Sequence, residues 1–203
     1  MQLNQKKFLM KKIAIFCGAS IGFNPVYAKA AHDLGVFLAR QGIEIIFGGG
    51  KFGMMGAIAD AALKEGGKVR GVIPDFLKLE EIEHTGVHEM ITSQNMSDRK
   101  MTISKIVDAY MALPGGFGTL DELMEVLTLG QLQIEYKPIG ILNTNGFFNP
   151  LITQFDLMVK EGFLKPENRA MVLESDNIEK LFEMMQNYQP PKVSKIVQTV
   201  ASK

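Results

Sequence analysis

The sequence predicts an α/β chain: a doubly wound, mostly parallel sheet flanked by helices on both faces. Three observations predict it. Short apolar runs alternate with segments of helical periodicity over most of the 203 residues. Several of those runs end in glycine or proline. Repeated strand–helix units make parallel pairing the natural outcome.

The elements follow in order. KIAIFC (12–17) reads as a buried strand ending at Gly18. From Pro25 to Gln41, Val26, Ala30, Leu34, Phe37 and Leu38 recur at helical spacing, with Pro25 suited to the first turn. IEIIF (43–47) is the next strand, stopped by Gly48-Gly49-Gly50. Met54 to Leu63 is a helix ended by Gly66-Gly67, and VRGVI (69–73) a strand closed by Pro74. VHEMI (87–91) is a weaker strand. Then come a helix from Asn95 to Val107, a strand AYMAL (109–113), a helix from Thr119 to Gln133 and a strand PIGIL (138–142). A helix from Pro150 to Glu161, a strand MVLES (171–175) and a helix from Asn177 to Asn187 complete the series.

No linker, repeat or low-complexity stretch divides the chain, so one domain is expected, with a core over about 12–188 and loosely anchored ends at 1–9 and 189–203. Ligands of such sheets bind beyond the carboxyl ends of the strands. The loops to inspect are therefore 18–24, 48–53, 74–86 and 114–119.

Composition narrows the partners. Lys+Arg and Asp+Glu are equal at 22 each, which gives no basic excess for nucleic acid or an anionic membrane surface. Cys17 is the only cysteine, and His32, His84 and His88 are scattered, so neither a disulfide nor a zinc-type cluster is expected. The start has no signal-like apolar core, and no run approaches the roughly 18 apolar residues of a membrane helix. The expectation is a cytoplasmic protein with no metal or other cofactor.

Three constellations carry possible chemistry. GGGKFG (48–53) formally matches the dinucleotide fingerprint, with Asp75 roughly 20 residues on. It follows the second strand, however, and a run of glycines satisfies many patterns, so a tight strand-to-helix crossing explains it as well. In NMSDRKMTISKIV (95–107), Met96, Arg99, Ile103 and Ile106 share one helical stripe, and Lys100 adjoins it. Two cations on a face that should be buried need anionic partners, an opening into a cleft, or stems that snorkel to water.

PGGFGTLDE (114–122) lies between a strand and a helix. Thr119 and Glu122 fit a capping box, in which Thr119 caps the helix and Glu122 reaches back, while Asp121 favours the dipole. A helix needs one cap, not three glycines. Gly115, Gly116 and Gly118 allow positive φ and close approach of a ligand, and an N-terminal turn attracts phosphate. The absence of a P-loop lysine gives no support for nucleoside-triphosphate hydrolysis. The helix that follows is apolar nearly all round, so it is expected either at the centre of the fold or in a homo-oligomer interface.

Taken together, FCGAS (16–20), FGGGKFGMMG (47–56), GVIP (71–74), MSDRK (96–100), LPGGFGTLDE (113–122) and Lys137-Pro138-Ile139-Gly140 resemble the LONELY GUY (LOG) family of cytokinin riboside 5'-monophosphate phosphoribohydrolases, from about Ile13 to Tyr188. The resemblance implies a Rossmann-like homodimer without nicotinamide or metal, hydrolysing the N-glycosidic bond of a nucleoside 5'-monophosphate. It implies Arg99 and Glu122 as the catalytic pair. It implies substrate contacts at Glu81, Lys100, Pro114, Gly115, Gly116, Phe117, Gly118, Thr119, Leu120, Asp121 and Thr128. The chain departs from the family pattern at Glu80, Ser97, Asp98, Asp121, Leu129-Gly130 and Glu135, which bears on the choice of base. Alternatives are an AMP nucleosidase with little cytokinin role, and a non-catalytic AMP-binding protein. Lysine decarboxylation is disfavoured, because nothing marks a pyridoxal-phosphate lysine. At its place in the first turn, Glu122 is expected to stay ionised and stabilise positive charge on the sugar, with Arg99 as a clamp.

Overall fold

In the computed structural model, residues 7–78 and 82–191 are described. Seven strands form one wholly parallel sheet: β1 (Lys12–Phe16), β2 (Glu44–Phe47), β3 (Val69–Pro74), β4 (Glu89–Ser93), β5 (Ala109–Ala112), β6 (Ile139–Leu142) and β7 (Val172–Ser175). Their order across the sheet is β4-β3-β2-β1-β5-β6-β7. The helices are α1 (Pro25–Arg40), α2 (Gly53–Lys64), α3 (Met96–Ile106), α4 (Phe117–Gln131), α5 (Asn149–Lys160), the single turn α6 (Pro166–Arg169) and α7 (Ile178–Gln186). The expected fold class holds. The main shift is β4, which begins two residues later than the apolar pattern suggests.

Alternation within the strands explains the two layers. Ile13 and Ile15 of β1 and Ile45 and Phe47 of β2 pack against α1, α2 and α7 through Leu34, Leu38, Ile58, Leu181 and Met185. The intervening Ala14, Phe16 and Ile46 face α3, α4 and α5 through Ile103, Leu123, Val126 and Phe155. A strand covered on both faces needs apolar residues at every position, which is what KIAIF and EIIF supply.

The strand order reverses direction between β1 and β5. Ile13 pairs with Ala109 and Phe16 with Ala112, and the two strands stay joined as they leave the sheet. Leu113 donates its N–H to Phe16 O at 2.9 Å, and Gly18 donates to Pro114 O at 3.1 Å. The loops after β1 and β5 therefore open together at the switch point, where sheets of this type hold ligands. Among the described residues, no helix is long and apolar enough to cross a membrane.

Candidate active site

Arg99 is positioned by a well-finished helix. Asn95 caps α3, accepting from the Asp98 N–H at 2.9 Å, while the Asp98 carboxylate accepts from the Gln94 N–H at 2.9 Å. This reciprocal cap is the one the sequence placed in Thr119 and Glu122, found one helix upstream. From the first turn of α3, Arg99 reaches over β3. Its Nε donates to Val72 O at 3.0 Å, and Nη2 meets Glu122 Oε1 at 3.3 Å. A Cβ at Gly48 would lie 2.1 Å from Arg99 Nη2, so the first glycine of GGGKFG makes room for the guanidinium. Gly49 and Gly53 take φ of +80° and +65°, and Gly53 passes the backbone of Ala19. The strand-to-helix crossing accounts for the motif, and its first glycines also wall the site.

The start of α4 corrects the capping-box expectation. Its N-cap is Gly116, with no side-chain cap, and the helix begins at Phe117, two residues earlier than expected. The first intrahelical acceptance is by Gly116 O, from Leu120 N–H at 3.2 Å. The N–H groups of Phe117, Gly118 and Thr119 thus stand at the helix end without intrahelical partners. Glu122 sits in the second turn and faces inward beside Arg99, so it does not reach back to the cap.

None of the three loop glycines takes a positive φ. They matter for what they lack. A Cβ at Gly115 would lie 2.1 Å from Thr119 Oγ1 and 2.8 Å from Gly18 N, so this glycine lets the two loops close on each other. At Gly116 and Gly118 a Cβ would meet open space, which leaves the helix terminus accessible.

These groups surround a cavity of about 690 Å³. One end holds the uncapped turn of α4. Arg99, Glu122 and Thr119 form the polar floor, and the rest is apolar, with Met54, Met55, Ile73 and Phe147 among its walls. All four loops chosen from the sequence contribute: Gly18 to Gly22, Gly48 and Gly50, Leu77 and Ile82, and Pro114 to Thr119. Sequence reasoning missed Tyr27, Met96 and Phe147 as lining residues; Phe147 follows β6 at the same carboxyl edge, which was the available signal.

Burial dominates the electrostatics. Desolvation raises the Glu122 carboxyl above its ordinary 4.5; Arg99 opposes this, Asp121 and Glu125 add to it, and Lys100 opposes it. The expectation of an undisturbed carboxylate is therefore corrected. Residence in the second turn removes most of the dipole's help, and burial outweighs what remains. Cys17, at the end of β1, is pushed up too, by burial first and then by Glu122.

The residues implied by resemblance divide into two groups. Arg99, Pro114, Gly115, Gly116, Gly118, Thr119 and Glu122 line the cavity. Lys100, Leu120, Asp121 and Thr128 do not, nor does Phe117, which is exposed at the helix start. Lys100 bridges to Asp121 at 3.1 Å and Glu125 at 2.8 Å on α4, while the Thr128 hydroxyl donates to Met124 O at 2.8 Å. Leu120 packs into the α3–α5 layer. Glu81 and Glu80 lie outside the described residues. The all-round burial expected of α4 is also corrected. One stripe, Thr119, Glu122, Leu123 and Val126, is buried, while Leu132 and Ile134 just beyond the helix are exposed.

Comparison with known proteins agrees with this geometry. Residues 55–185 match the family model described as possible lysine decarboxylase. The chain is 39% identical over 188 residues, 93% of this chain and 87% of the other, to the cytokinin riboside 5'-monophosphate phosphoribohydrolase LOG7 of Arabidopsis thaliana. It is 40% identical over 180 residues, 89% and 85% of the two chains, to the probable enzyme of the same name LOGL3 of Oryza sativa subsp. japonica. Among solved structures, TM1055 superposes with a TM-score of 0.67 at 20% identity, covering 88% of this chain and 100% of that one. The molybdenum cofactor binding protein of Rippkaea orientalis gives 0.65 at 23%, covering 87% and 95%. At those identities the structures speak for the fold alone.

The closure of the two loops is testable. Gly115→Ala is expected to lower stability by about 1–3 kcal/mol through overpacking. Gly116→Ala, facing open space, should cost less than about 0.5 kcal/mol. Urea unfolding of both variants checks the contrast.

Proposed function

The chain belongs to the LOG family of cytokinin riboside 5'-monophosphate phosphoribohydrolases, and we propose that it hydrolyses the N-glycosidic bond of a nucleoside 5'-monophosphate, releasing free base and ribose 5-phosphate. The observation that carries this reading is the meeting, in one cavity, of an uncapped helix terminus and a buried Arg99–Glu122 pair. A phosphate takes the free N–H groups of Phe117, Gly118 and Thr119, where the dipole favours negative charge. The ribose then lies over the polar floor, and the apolar walls receive the base.

As the C1′–N bond breaks, its electron pair leaves on the base, and positive charge spreads over C1′ and the ring oxygen. The Glu122 carboxylate stabilises that charge and orients a water, which adds to C1′ and passes its proton to Glu122. The departing base takes a proton from solvent. Burial helps here, because a carboxylate raised toward neutrality is a better base for water than an ordinary one. Arg99, permanently charged, holds the carboxylate in place and offsets the charge of phosphate and Glu122 together.

The assembly proposed is a homodimer through the outer face of α3 and α4. Met101, Leu132, Ile134 and Tyr136 lie exposed there. Lys100 and Thr128, which the resemblance assigns to substrate, also point away from their own cavity. A second copy seated on this face brings them toward a neighbouring nucleotide.

Incubation with AMP and with N6-isopentenyl-AMP, followed by chromatography for free base, tests the reaction. Wild type is expected to release base from at least one of them. Glu122→Gln should lose about 100-fold or more in kcat, as removal of a catalytic base does; near-wild-type turnover would leave Glu122 a structural residue. The ionised form is the active one, and its pKa is raised, so activity should fall with decreasing pH starting above the ordinary carboxylate range. Arg99 lowers that pKa, so in Arg99→Ala any residual activity should show its acid limb at higher pH; a pH–rate series on both proteins checks the sign. Ile134→Glu should turn a dimer into a monomer in sedimentation velocity, and an unchanged profile would remove this face from the assembly.

A further inference from the structure

Glu122 borders two cavities. Its front lines the 690 Å³ cavity, and its back lines a second one of about 120 Å³ between α3, α4 and β5. At roughly 30 Å³ per water, the smaller space holds a few molecules. Its walls are unusually polar for a site inside an apolar layer. Lys100, Ser104, Tyr110 and Glu125 all face it, alongside Phe16 and Val126.

The polar groups are fixed by partners that leave water-binding capacity. The hydroxyls of Tyr110 and Ser104 both donate to Glu135, the former at 2.5 Å, so their oxygens remain free to accept from water. Lys137 closes this cluster from outside, 3.4 Å from Glu135 and 2.5 Å from Ser104 O. Glu125 sits three residues after Glu122 on α4, held by Lys100 at 2.8 Å. Its side chain keeps 37% of its exposure and so spans from the chamber to solvent.

This arrangement answers a need left by the reaction, and the inference rests on the hydrolase reading above. Each turnover leaves the proton of the attacking water on Glu122. Ribose and base then fill the front cavity and block that route out. We propose that the chamber behind Glu122 is a water-filled proton exit, and that Glu125 at its rim is the relay residue that returns Glu122 to the carboxylate. The step balances. The proton leaves Glu122 for a chamber water, a proton passes from that water to the Glu125 carboxylate, and Glu125 releases it to solvent. Solvent supplies the equivalent proton to the base.

The charged groups facing Glu122 favour the transfer. Arg99 and Lys100 on α3 stabilise the recovered carboxylate, Asp121 and Glu125 on α4 oppose it, and Cys17 beside β1 stays a thiol. A second copy on the α3–α4 face encloses the rim without drying it, since Lys100, Asp121 and Glu125 keep it polar.

The test separates the first turnover from later ones. Glu125→Gln cannot take up a proton, whereas Glu125→Asp can. With a nucleotide that wild type hydrolyses, rapid-quench measurements on Glu125→Gln should show a burst of one base per site at the wild-type single-turnover rate. A steady state at least about tenfold slower should follow. Millimolar imidazole should restore the steady state, and Glu125→Asp should largely retain it. Circular dichroism and urea melts confirm that both variants fold. If the burst is absent and first and later turnovers slow together, or imidazole has no effect, Glu125 is not a relay and the inference fails while the hydrolase reading stands. If wild type releases no base in the first turnover, both fail.

Discussion

Arg99 and Glu122 meet at 3.3 Å with side chains only 11% and 10% exposed, and much of the sequence is explained by what housing that pair requires. A buried ion pair is a poor source of stability, because two desolvated charges recover little more than they lose. The fold supports it from several sides. Val72 O takes one guanidinium N–H, Gly48 yields the volume of a side chain to the same group, and the Asn95–Asp98 cap secures the helix that carries Arg99. Arrangements that cost stability and gain none locally belong to sites of chemistry.

The same constraint links sheet topology to reactivity. Reversal of strand order between β1 and β5 puts two loops side by side. Gly115 lets them touch, and α4 then starts with an open end facing the cavity. Helix α4 thus contributes twice: its first turn offers backbone N–H groups to an anion, and its second turn supplies the carboxylate. About one helical turn, roughly 5.4 Å of rise, separates the two, so phosphate and Glu122 charge reinforce each other's cost. Arg99 is the cation that both approach.

Much of this was legible in the sequence. Apolar runs in β1, β2 and β5 announced strands covered on both faces, and the four loops at their carboxyl ends all reached the cavity. Arg99 stood out because a cation on an apolar stripe needs a partner. The errors came where one local pattern had two solutions. Thr119 and Glu122 have the spacing of a capping box, but Gly116 and Gly118 let the helix begin earlier, which turns both side chains inward. Once Glu122 is inside, desolvation decides its ionisation, and burial of that kind is a tertiary property no local spacing records. Lys100 illustrates the other limit: it interrupts the stripe as Arg99 does, yet one position of rotation sends it to Asp121 and Glu125 instead of the cavity.

Where the phosphate binds decides whether this account is right. A crystal structure of Glu122→Gln with AMP locates it directly. The account requires phosphate oxygens within hydrogen-bond distance of the Phe117, Gly118 and Thr119 N–H groups, and C1′ against residue 122. Phosphate bound elsewhere in the cavity, or C1′ turned away from residue 122, would contradict it.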